Sequence, residues 1–391
     1  GGNNVYDVNV TASDGTNAAT QAVAVTVTNV NEGPAITSGA AASFAENGTG
    51  TVYTAAATDP DAGSTLTYSI SGADAALFNI DSVTGAVTFK SSPNYEAPTD
   101  AGGNNVYDVN VTASDGTNSA TKAVAISVIN VNEAPTVTSG ATASFAENGA
   151  GTVYTAADTD PDAGSTLTYS LTGADASLFN INATTGVVTF KSAPNYEAPG
   201  DAGGNNVYDV NVTASDGTNS ATKAVAISVT YVNEAPTVTS SATASFAENA
   251  SGTVYTVAAT DPDAGTTLTY SISGADASLF NINATTGVVT FKSSPNYEAP
   301  TDTGGNNVYD VNVTASDGTN SSTKAVAISV TNVNEAPTVT SAGTASFAEN
   351  ASGTVYTVVA TDPDAGTTLT YSLTGADASL FNINATTGVV T

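Results

Sequence analysis

The 391-residue sequence contains no cysteine, histidine, tryptophan or methionine, and these absences exclude much chemistry. Without cysteine the chain has no disulfide framework, no thiolate metal site and no thiol nucleophile. Without histidine it lacks the usual general base and the usual zinc ligand. A paired-carboxylate glycosidase site is the best enzymatic option left, but no tryptophan is present to line its cleft. We therefore expect that the chain is not an enzyme.

Positive charge is also scarce. The chain has 36 acidic residues against six lysines and no arginine, a net charge of −30. Nucleic acids and anionic membrane surfaces are bound through Lys and Arg, so we expect neither as a partner. No apolar run is long enough for a signal peptide, a transmembrane helix or an anchor, so we expect none in this piece. An acidic surface that only confers solubility and carboxylates gathered into metal sites both fit this composition.

The sequence repeats itself every 101 residues, as the aspartates of a Ser-Asp-Gly motif show: Asp14, Asp115, Asp216 and Asp317. A Val-Asn-Glu-x-Pro linker recurs with the same period. Division at the linkers predicts complete units at 35–134, 135–235 and 236–336, the C-terminal part of a truncated repeat at 1–34, and the N-terminal part of another at 337–391. Because the partial units hold too few strands for independent stability, we expect fraying or intermolecular pairing at both ends.

Within a unit, apolar residues alternate with polar ones, which is typical of half-buried strands. In Val106 to Asp115, the residues Tyr107, Val109, Val111 and Ala113 share one face. About seven such runs occur in about 100 residues, separated by Gly, Asn, Asp and Pro, and no run has helical periodicity. This pattern predicts an all-β antiparallel sandwich, whereas a small barrel would need a closure that the sequence does not reveal.

Acidic residues recur in five features of each unit: Glu46 in Phe-Ala-Glu-Asn, Asp59 and Asp61 in Asp-Pro-Asp, Glu96 in Asn-Tyr-Glu-Ala, Asp115 in Ser-Asp-Gly, and Glu133 in the linker. Calcium takes six to eight oxygen ligands in irregular geometry, which suits carboxylates on loops. The Asp-Pro-Asp loop is not a helix–loop–helix calcium site, because Ile70 stands where that motif needs a glutamate. Solvated turn acids are the alternative, yet so many like charges would repel without a cation.

The same five features carry a resemblance to a family. Tyr-x-Val-x-Val-x-Ala-x-Asp-Gly, from Tyr107 to Gly116, resembles the penultimate-strand signature of cadherin repeats. Asp-Pro-Asp-Ala-Gly, Asn-Val-Asn-Glu-Ala-Pro, Phe-Ala-Glu-Asn and Asn-Tyr-Glu are similar to the family's other calcium-binding elements, in the same order. The resemblance implies a tandem array of seven-stranded Greek-key β-sandwiches of the cadherin/immunoglobulin-like type. The composition looks more like cadherin-like repeats of bacterial surface or secreted adhesins than like animal cadherins.

The resemblance also implies calcium between repeats, with ligands from both sides of each joint. At the 134/135 joint the implied ligands are Glu46, Asn94, Glu96, Asn130, Asn132, Glu133, Asp160, Asp162 and Asp216. At the 235/236 joint they are Glu147, Asn195, Glu197, Asn233, Glu234, Asp261, Asp263 and Asp317. The first joint keeps Asn29, Asn31, Glu32, Asp59, Asp61 and Asp115, and the last keeps Glu248, Asn296, Glu298, Asn332, Asn334, Glu335, Asp362 and Asp364.

Some positions depart from the family pattern. Asn94 and Asn130 stand where acids are usual, which implies a lower affinity or fewer ions. Tyr231 replaces Asn130's counterpart, so we expect the 235/236 joint to lose an oxygen and to be the softer of the two complete joints. Asp74 is predicted to be a turn residue rather than a ligand. The lysines fit edge protection or solubility better than a binding patch.

These features predict a calcium-rigidified extender or spacer of a large extracellular or cell-surface adhesin, supporting cell adhesion or biofilm attachment. In one alternative the repeats themselves bind carbohydrate, such as cell-surface glycans, or like repeats on another cell. Multivalency would then strengthen weak contacts. In another alternative they are accessory domains of an extracellular enzyme. Nothing in the sequence marks out an interaction face, so the spacer is the favoured hypothesis.

Overall fold

The computed structural model of the chain describes residues 2–391. Its N-terminal segment is an antiparallel hairpin of β1 (Val5–Ser13) and β2 (Ala18–Thr26). The unit 35–134 follows with nine strands, β3 (Ala35–Ile36), β4 (Ala41–Ala45), β5 (Thr51–Thr54), β6 (Ala57–Thr58), β7 (Thr67–Ser71), β8 (Phe78–Ile80), β9 (Ala86–Phe89), β10 (Val106–Ser114) and β11 (Ser119–Ile129). A single 3-10 turn, Ala75–Leu77, precedes β8.

The next two units repeat this order. The second has β12 (Thr136–Val137), β13 (Thr142–Ala146), β14 (Thr152–Thr155), β15 (Asp158–Thr159), β16 (Thr168–Thr172), β17 (Phe179–Ile181), β18 (Val187–Phe190), β19 (Val207–Ser215) and β20 (Ser220–Thr230), with a 3-10 turn at Ala176–Leu178. The third has β21 (Thr237–Val238), β22 (Thr243–Ala247), β23 (Thr253–Thr256), β24 (Ala259–Thr260), β25 (Thr269–Ser273), β26 (Phe280–Ile282), β27 (Val288–Phe291), β28 (Val308–Ser316) and β29 (Ser321–Thr331), with a 3-10 turn at Ala277–Leu279. The C-terminal segment has β30 (Thr338–Val339), β31 (Tyr356–Thr357), β32 (Ala360–Thr361) and β33 (Val389–Val390), with a 3-10 turn at Ala378–Leu380.

Each complete unit is a two-layer sandwich. In the first unit, one layer has the strand order β4-β11-β10-β7 and the other β5-β9-β8, and the two-residue strands β3 and β6 form a separate pair. The second and third units have the same orders with their own strands. Seven principal strands in two layers confirm the predicted sandwich class. The sheets of each unit are built only from strands of that unit, and the exact unit boundaries stay a prediction.

One pairing differs from the antiparallel prediction. Strand β4 pairs with β11 in parallel, from Ala41 opposite Ala125 to Ala45 opposite Ile129. The chain reaches this edge because β3 first pairs with β6 and the chain then crosses to the other layer. There it joins the last strand of the unit running in the same direction. Period-two patterning cannot show this, because it marks which face of a strand is buried and not the direction of its neighbour.

The core is built from the alternating residues that the sequence singled out. Tyr107 is 1% exposed, and the other inward residues of β10 and β11 are buried with it. Phe78 and Phe89 pack on Tyr107 from the opposite layer, with their own ring centroids 4.3 Å apart. Burying such rings stabilises the fold by the transfer of apolar surface from water and by tilted and edge-to-face packing.

The partial units are built differently from the complete ones. Tyr6 has the sequence position of Tyr107 but is 59% exposed, because no second layer covers the β1–β2 hairpin. Residues 344–348 repeat the sequence of β22 without forming a strand. Strand β22 pairs with β29, and residues 337–391 contain no counterpart of β29. Fraying or intermolecular pairing of these ends stays a prediction.

Two groups of polar residues fix loops within each unit. Asp74 is 3% exposed and accepts hydrogen bonds from the backbone nitrogens of Ala101 (2.7 Å) and Asp108 (2.7 Å), so it joins distant segments and does not merely form a turn. Lys122 Nζ donates to the Ser38 carbonyl oxygen at 2.5 Å. The lysine at this position therefore anchors the start of its own unit, a role beyond solubility. Within residues 2–391, no helix has both the length and the apolar character needed to cross a membrane.

Candidate metal centre

Three glutamates converge at the C-terminal end of each complete unit. In the first unit, one carboxylate oxygen from each of Glu46, Glu96 and Glu133 lies within 4.8 Å of the other two. Glu46 directly follows β4 and the linker follows β11, so the parallel pairing of these strands brings Glu46 beside the linker. Glu96 comes from the irregular segment between β9 and β10. The equivalent triads are Glu147, Glu197 and Glu234, and Glu248, Glu298 and Glu335.

Glu46 forms the buried base of its cluster. It is 2% exposed, and its Oε2 accepts a hydrogen bond from the Tyr95 backbone nitrogen at 2.7 Å. Its Oε1 accepts one from the Val131 backbone nitrogen at 2.8 Å. Glu46 therefore ties the loop that carries Glu96 to the linker that carries Glu133. Glu147 and Glu248 make the same pair of contacts in their units.

The following unit closes each joint from the other side. Across the 134/135 joint, the Glu133 backbone nitrogen donates to Asp162 Oδ2 at 2.7 Å. Asn132 Nδ2 donates to Asp216 Oδ2 at 2.8 Å. Asp160 lies beside Asp162, whose backbone nitrogen donates to Asp160 Oδ1 at 2.9 Å. Carboxylates of two neighbouring units thus meet on opposite sides of one linker.

Several carboxylate oxygens of these clusters are buried and receive no hydrogen bond. They are Glu96 Oε1 and Oε2, Glu133 Oε2 and Asp160 Oδ2 at the 134/135 joint; Glu197 Oε2, Glu234 Oε2, Asp261 Oδ2 and Asp263 Oδ1 at 235/236; Asp59 Oδ2 at the first joint; and Glu298 Oε2 and Glu335 Oε2 at the last. An unpartnered buried carboxylate oxygen costs free energy, and ionised neighbours have no proton to donate to it. Cations bound at each joint would satisfy the unpartnered oxygens of that joint.

The electrostatics of the triads agree with this geometry. Burial raises the pKa of Glu96 above its usual value, and the nearby charges of Glu46 and Glu133 raise it further. Burial likewise raises the pKa of Glu133, with contributions from Glu46, Asp162 and Asp160. The pKa values of Glu197, Glu234 and Glu298 are raised for the same reasons. The clusters therefore disfavour their own negative charge when no cation accompanies them.

The donor set fits calcium. The unpartnered atoms are all carboxylate oxygens, and they lie on loops that can form irregular coordination shells. Zinc and copper favour nitrogen and sulfur ligands, and the sequence has no histidine or cysteine. The residues present would thus hold calcium between the repeats.

Most of the implied ligands come together at their joints. At the first joint, Asn31 Nδ2 donates to Asp115 Oδ2 (2.7 Å), and the Glu32 backbone nitrogen donates to Asp61 Oδ2 (2.8 Å), as at 134/135. At the last joint, the Glu335 backbone nitrogen donates to Asp364 Oδ2 (2.7 Å). Asp115, Asp216 and Asp317 accept three hydrogen bonds each, which hold their pKa values below the usual range.

Two asparagine positions behave differently from the expectation. Asn94 Oδ1 accepts a hydrogen bond from the Ala97 backbone nitrogen at 2.7 Å, so this oxygen closes the turn that holds Glu96. Asn195 and Asn296 do the same. Asn130 is exposed, and its counterpart Asn29 directs its amide nitrogen, not its oxygen, at Asp61 Oδ1 (2.7 Å). Asn94, its counterparts and Asn29 therefore orient carboxylates and their loops.

Two asparagines outside the predicted ligand set support the clusters. Asn47 Nδ2 donates to Glu133 Oε1 at 2.6 Å, from a left-handed backbone conformation with φ of 56°. Asn219 Nδ2 donates to the carbonyl oxygen of Asn132 at 2.7 Å, from the unit beyond the joint. Their signal was the fixed asparagine after Glu in Phe-Ala-Glu-Asn and the one closing Ser-Asp-Gly-Thr-Asn. Both residues belong to turns, so their side chains looked local.

Tyr231 makes contacts of its own at the 235/236 joint, in addition to removing the amide oxygen of an asparagine. Its hydroxyl donates to Asn233 Oδ1 at 3.3 Å, and its ring packs edge-on against Tyr196, with centroids 5.8 Å apart. Partial burial, followed by the neighbouring carboxylate of Asp263 and the charges of Glu197 and Asp261, raises the pKa of Tyr231 to about 12. The expectation that this joint only loses an oxygen is therefore incomplete.

Comparison with known proteins finds similarity to proteins built from the same type of repeat. Residues 242–331 match the family model of the cadherin domain. The chain is similar to Protocadherin Fat 4 of Mus musculus, with 31% identity over 396 residues, which is 93% of this chain and 8% of that protein. The chain thus spans less than a tenth of this animal relative.

Solved structures show the same fold. The extracellular domain of Protocadherin GammaB4 superposes with a TM-score of 0.59 and 24% identity, covering 99% of this chain and 66% of that one. Mouse cadherin-23 EC22-24 superposes with a TM-score of 0.52 and 23% identity, covering 78% of this chain and 100% of that one. At this identity the likeness shows the fold alone.

Proposed function

We propose that the chain is an array of cadherin-like repeats that forms a calcium-stiffened extender region of a large extracellular protein. Calcium would be held between units, so that binding joins neighbouring sandwiches into a rod. Such a rod would carry a distal adhesive domain away from the surface that anchors it. In this proposal the chain supplies reach and stiffness, and no catalytic step is needed.

One observation carries the proposal: the buried carboxylate oxygens without hydrogen-bond partners belong to both units at one joint. At 134/135 they come from Glu96 and Glu133 on one side and from Asp160 on the other. A cation bound by these oxygens must contact both sandwiches. Its binding free energy would therefore oppose every rotation that separates the two sides of the joint.

The proposed ligands at 134/135 are Glu46, Glu96, Asn132, Glu133, Asp160, Asp162 and Asp216. Those at 235/236 are Glu147, Glu197, Asn233, Glu234, Asp261, Asp263 and Asp317. The first joint would use Asn31, Glu32, Asp59, Asp61 and Asp115, and the last Glu248, Glu298, Asn334, Glu335, Asp362 and Asp364. Asn29, Asn130 and Asn332 would orient these carboxylates. Without calcium the same charges repel across the linker, which frees the units to swivel.

Small-angle scattering of the whole chain tests this proposal. In calcium we expect an extended particle, with each sandwich adding roughly 30–45 Å, because strands rise about 3.3 Å per residue and loops add to their length. In chelator the maximum dimension should fall as the joints swivel. A variant with Asp108→Asn, Asp209→Asn and Asp310→Asn removes three exposed charges from β10, β19 and β28 and should keep the response. Identical profiles with and without calcium would refute the proposal.

A bacterial origin and a role in biofilm attachment belong to the same proposal. The composition supports them, since the chain has no cysteine and few charged residues apart from its acids. Contact of the repeats with surface glycans or with like repeats is a separate possibility for the same surface. Beads coated with the chain test it: calcium-dependent clumping, or capture of glycans by the beads, would assign the repeats a binding role in addition to spacing.

A further inference from the structure

The linker at the 235/236 joint contains a residue that no other linker of the chain has at that position. Tyr231 stands where the other linkers have Asn29, Asn130 and Asn332. Its hydroxyl donates to Asn233 Oδ1 at 3.3 Å, and Asn233 Nδ2 donates to Asp317 Oδ2 of the following unit at 2.8 Å. Two consecutive hydrogen bonds thus lead from the tyrosine across the joint.

The tyrosine also covers groups that are open at the other complete joint. Asp263 is 5% exposed, whereas its counterpart Asp162 is only half-buried. Asn233 is half-buried, whereas Asn132 is exposed. The ring of Tyr231 is held against Tyr196 at an interplanar angle of 72°. Asp263 Oδ1 remains buried without a partner beneath this cover.

We propose that Tyr231 is a positioning residue that keeps the two units at the 235/236 joint aligned when calcium is absent. Tyr231 and its contacts at 235/236, here called the clasp, then hold one joint of the array in place. The 134/135 joint depends on calcium for its alignment. This inference rests on the proposed function, because it concerns what the calcium-free joint does. It reverses the expectation that 235/236 is the softer joint.

The physical reason is the exclusion of water. At 134/135 the hydrogen bonds across the linker are made by exposed groups such as Asn132, where water competes for the same donors and acceptors. At 235/236 the equivalent bond from Asn233 to Asp317 joins two half-buried groups, and a hydrogen bond in a drier environment is stronger. The edge-on contact between Tyr231 and Tyr196 lies within the unit 135–235 and does not depend on charge, so chelation leaves the tyrosine in place beside Asp263 of the following unit.

A clasped joint should also bind calcium differently. Its carboxylates are held close to their bound arrangement before the ion arrives, so less conformational freedom is lost on binding. In a calcium titration the 235/236 joint should therefore fill before 134/135. The loss of this order in Tyr231→Asn is the expected result of removing the clasp.

Distances between spin labels across each joint test the proposal on the whole chain. The chain has no cysteine, so two introduced cysteines are the only labelling sites. Ala183→Cys with Ala284→Cys reports on 235/236, and Ser82→Cys with Ala183→Cys reports on 134/135 from equivalent exposed positions. Double electron–electron resonance gives the distance distribution for each pair in calcium and in chelator.

In chelator we expect a narrow distribution across 235/236 and a broad one across 134/135. Tyr231→Asn, which installs the residue of the other linkers, should broaden the distance distribution across 235/236. Asn130→Tyr should narrow the distance distribution across 134/135, because the native Tyr95 stands there in the position of Tyr196. Equal breadth at both joints in chelator, or no change in Tyr231→Asn, would overturn the inference. If calcium narrows neither joint, the proposed function fails instead, so the two failures are distinguishable.

Discussion

Replacing Glu96 and Glu197 by glutamine should have opposite effects with and without calcium. Without calcium, each side chain is half-buried among like charges and has a buried, unpartnered oxygen. Glutamine removes that charge and supplies an amide that can donate to a neighbouring carboxylate. The calcium-free chain should therefore become more stable. With calcium the same change removes a charged ligand, so the calcium-loaded chain should become less stable.

The magnitudes follow from the surroundings of these two residues. Relief of one partly exposed, unpartnered carboxylate is worth about 0.5–1 kcal/mol after allowance for solvent screening. For a repeat of this size that corresponds to a rise of roughly 2–8 °C in the melting temperature in chelator. The loss of one charged ligand weakens calcium binding about tenfold, which removes about 1.4 kcal/mol of stabilisation. In calcium the melting temperature should therefore fall by roughly 5–10 °C.

The dependence on pH has a definite sign. The pKa of Glu96 in the fold is raised above its ordinary value of 4.5. In the calcium-free chain, the stability linked to this group is thus fully present below about pH 4.5 and is lost as pH rises through the raised value. The gain from glutamine should be seen at neutral pH and should vanish near pH 4.

Scanning calorimetry of Glu96→Gln/Glu197→Gln in calcium and in chelator measures these shifts. Asp108→Asn with Asp209→Asn is the matched control, because it removes the same number of charges from exposed strand positions. A fall in melting temperature of equal size in both solutions would show that the glutamates act only as structural supports. That result would refute the reasoning from the unpartnered oxygens.

Three further changes test the fold. Asp100→Ala should lower the free energy of unfolding by about 1–3 kcal/mol in urea titrations, because the Asp100 carboxylate accepts a hydrogen bond from the backbone nitrogen of Asn104 at 3.0 Å. Burial raises the pKa of Asp100, but such hydrogen bonds outweigh it and hold the pKa below 3.8. In the native chain, the stability that the ionised carboxylate provides should therefore be lost only as pH drops below 3.8. Gly85→Ala should destabilise far more than Gly103→Ala, measured the same way, because both have positive φ but only at Gly85 would the new Cβ come within 2.5 Å of a backbone oxygen. Gly200→Thr should stabilise its unit by about 0.5–1.5 kcal/mol in thermal melts. The other complete units have threonine at this position, as in Thr99, which hydrogen-bonds to the core Tyr107 hydroxyl, whereas Gly200 lines an open cavity of about 410 Å³. An unchanged melting temperature would contradict this prediction.

The sequence predicted the strands well because burial on one face leaves a period-two trace. The buried residues of β10, from Tyr107 to Ala113, are the ones that the alternating sequence pattern predicted to face the core. The parallel pairing of β4 with β11 left no such trace, because a strand's neighbours depend on where the chain crosses between layers. The predicted sandwich was therefore right in class and incomplete in its topology.

The candidate site was predictable to the extent that acids recur with the repeat. The positions of Glu46, Glu96 and Glu133 follow from that recurrence, and the structure brings them together. The role of Asn47 was not predictable, because a side chain in a left-handed turn reaches Glu133 only after the linker has folded back. Tyr231 was judged by the oxygen it replaces, although its effect comes from the ring and its neighbour Tyr196.

The parallel pairing of β4 with β11 decides how a unit carries tension. When an array is pulled from both ends, the force enters each unit near its first strands and leaves after its last strand. Strands β4 and β11 run in the same direction side by side, so the two forces slide one strand along the other. All five residue pairs from Ala41–Ala125 to Ala45–Ile129 then resist together, whereas in a hairpin pulled from its open end they would separate in succession. Each repeat is thus loaded in shear along these two strands, and its hydrogen bonds are not pulled apart one after another.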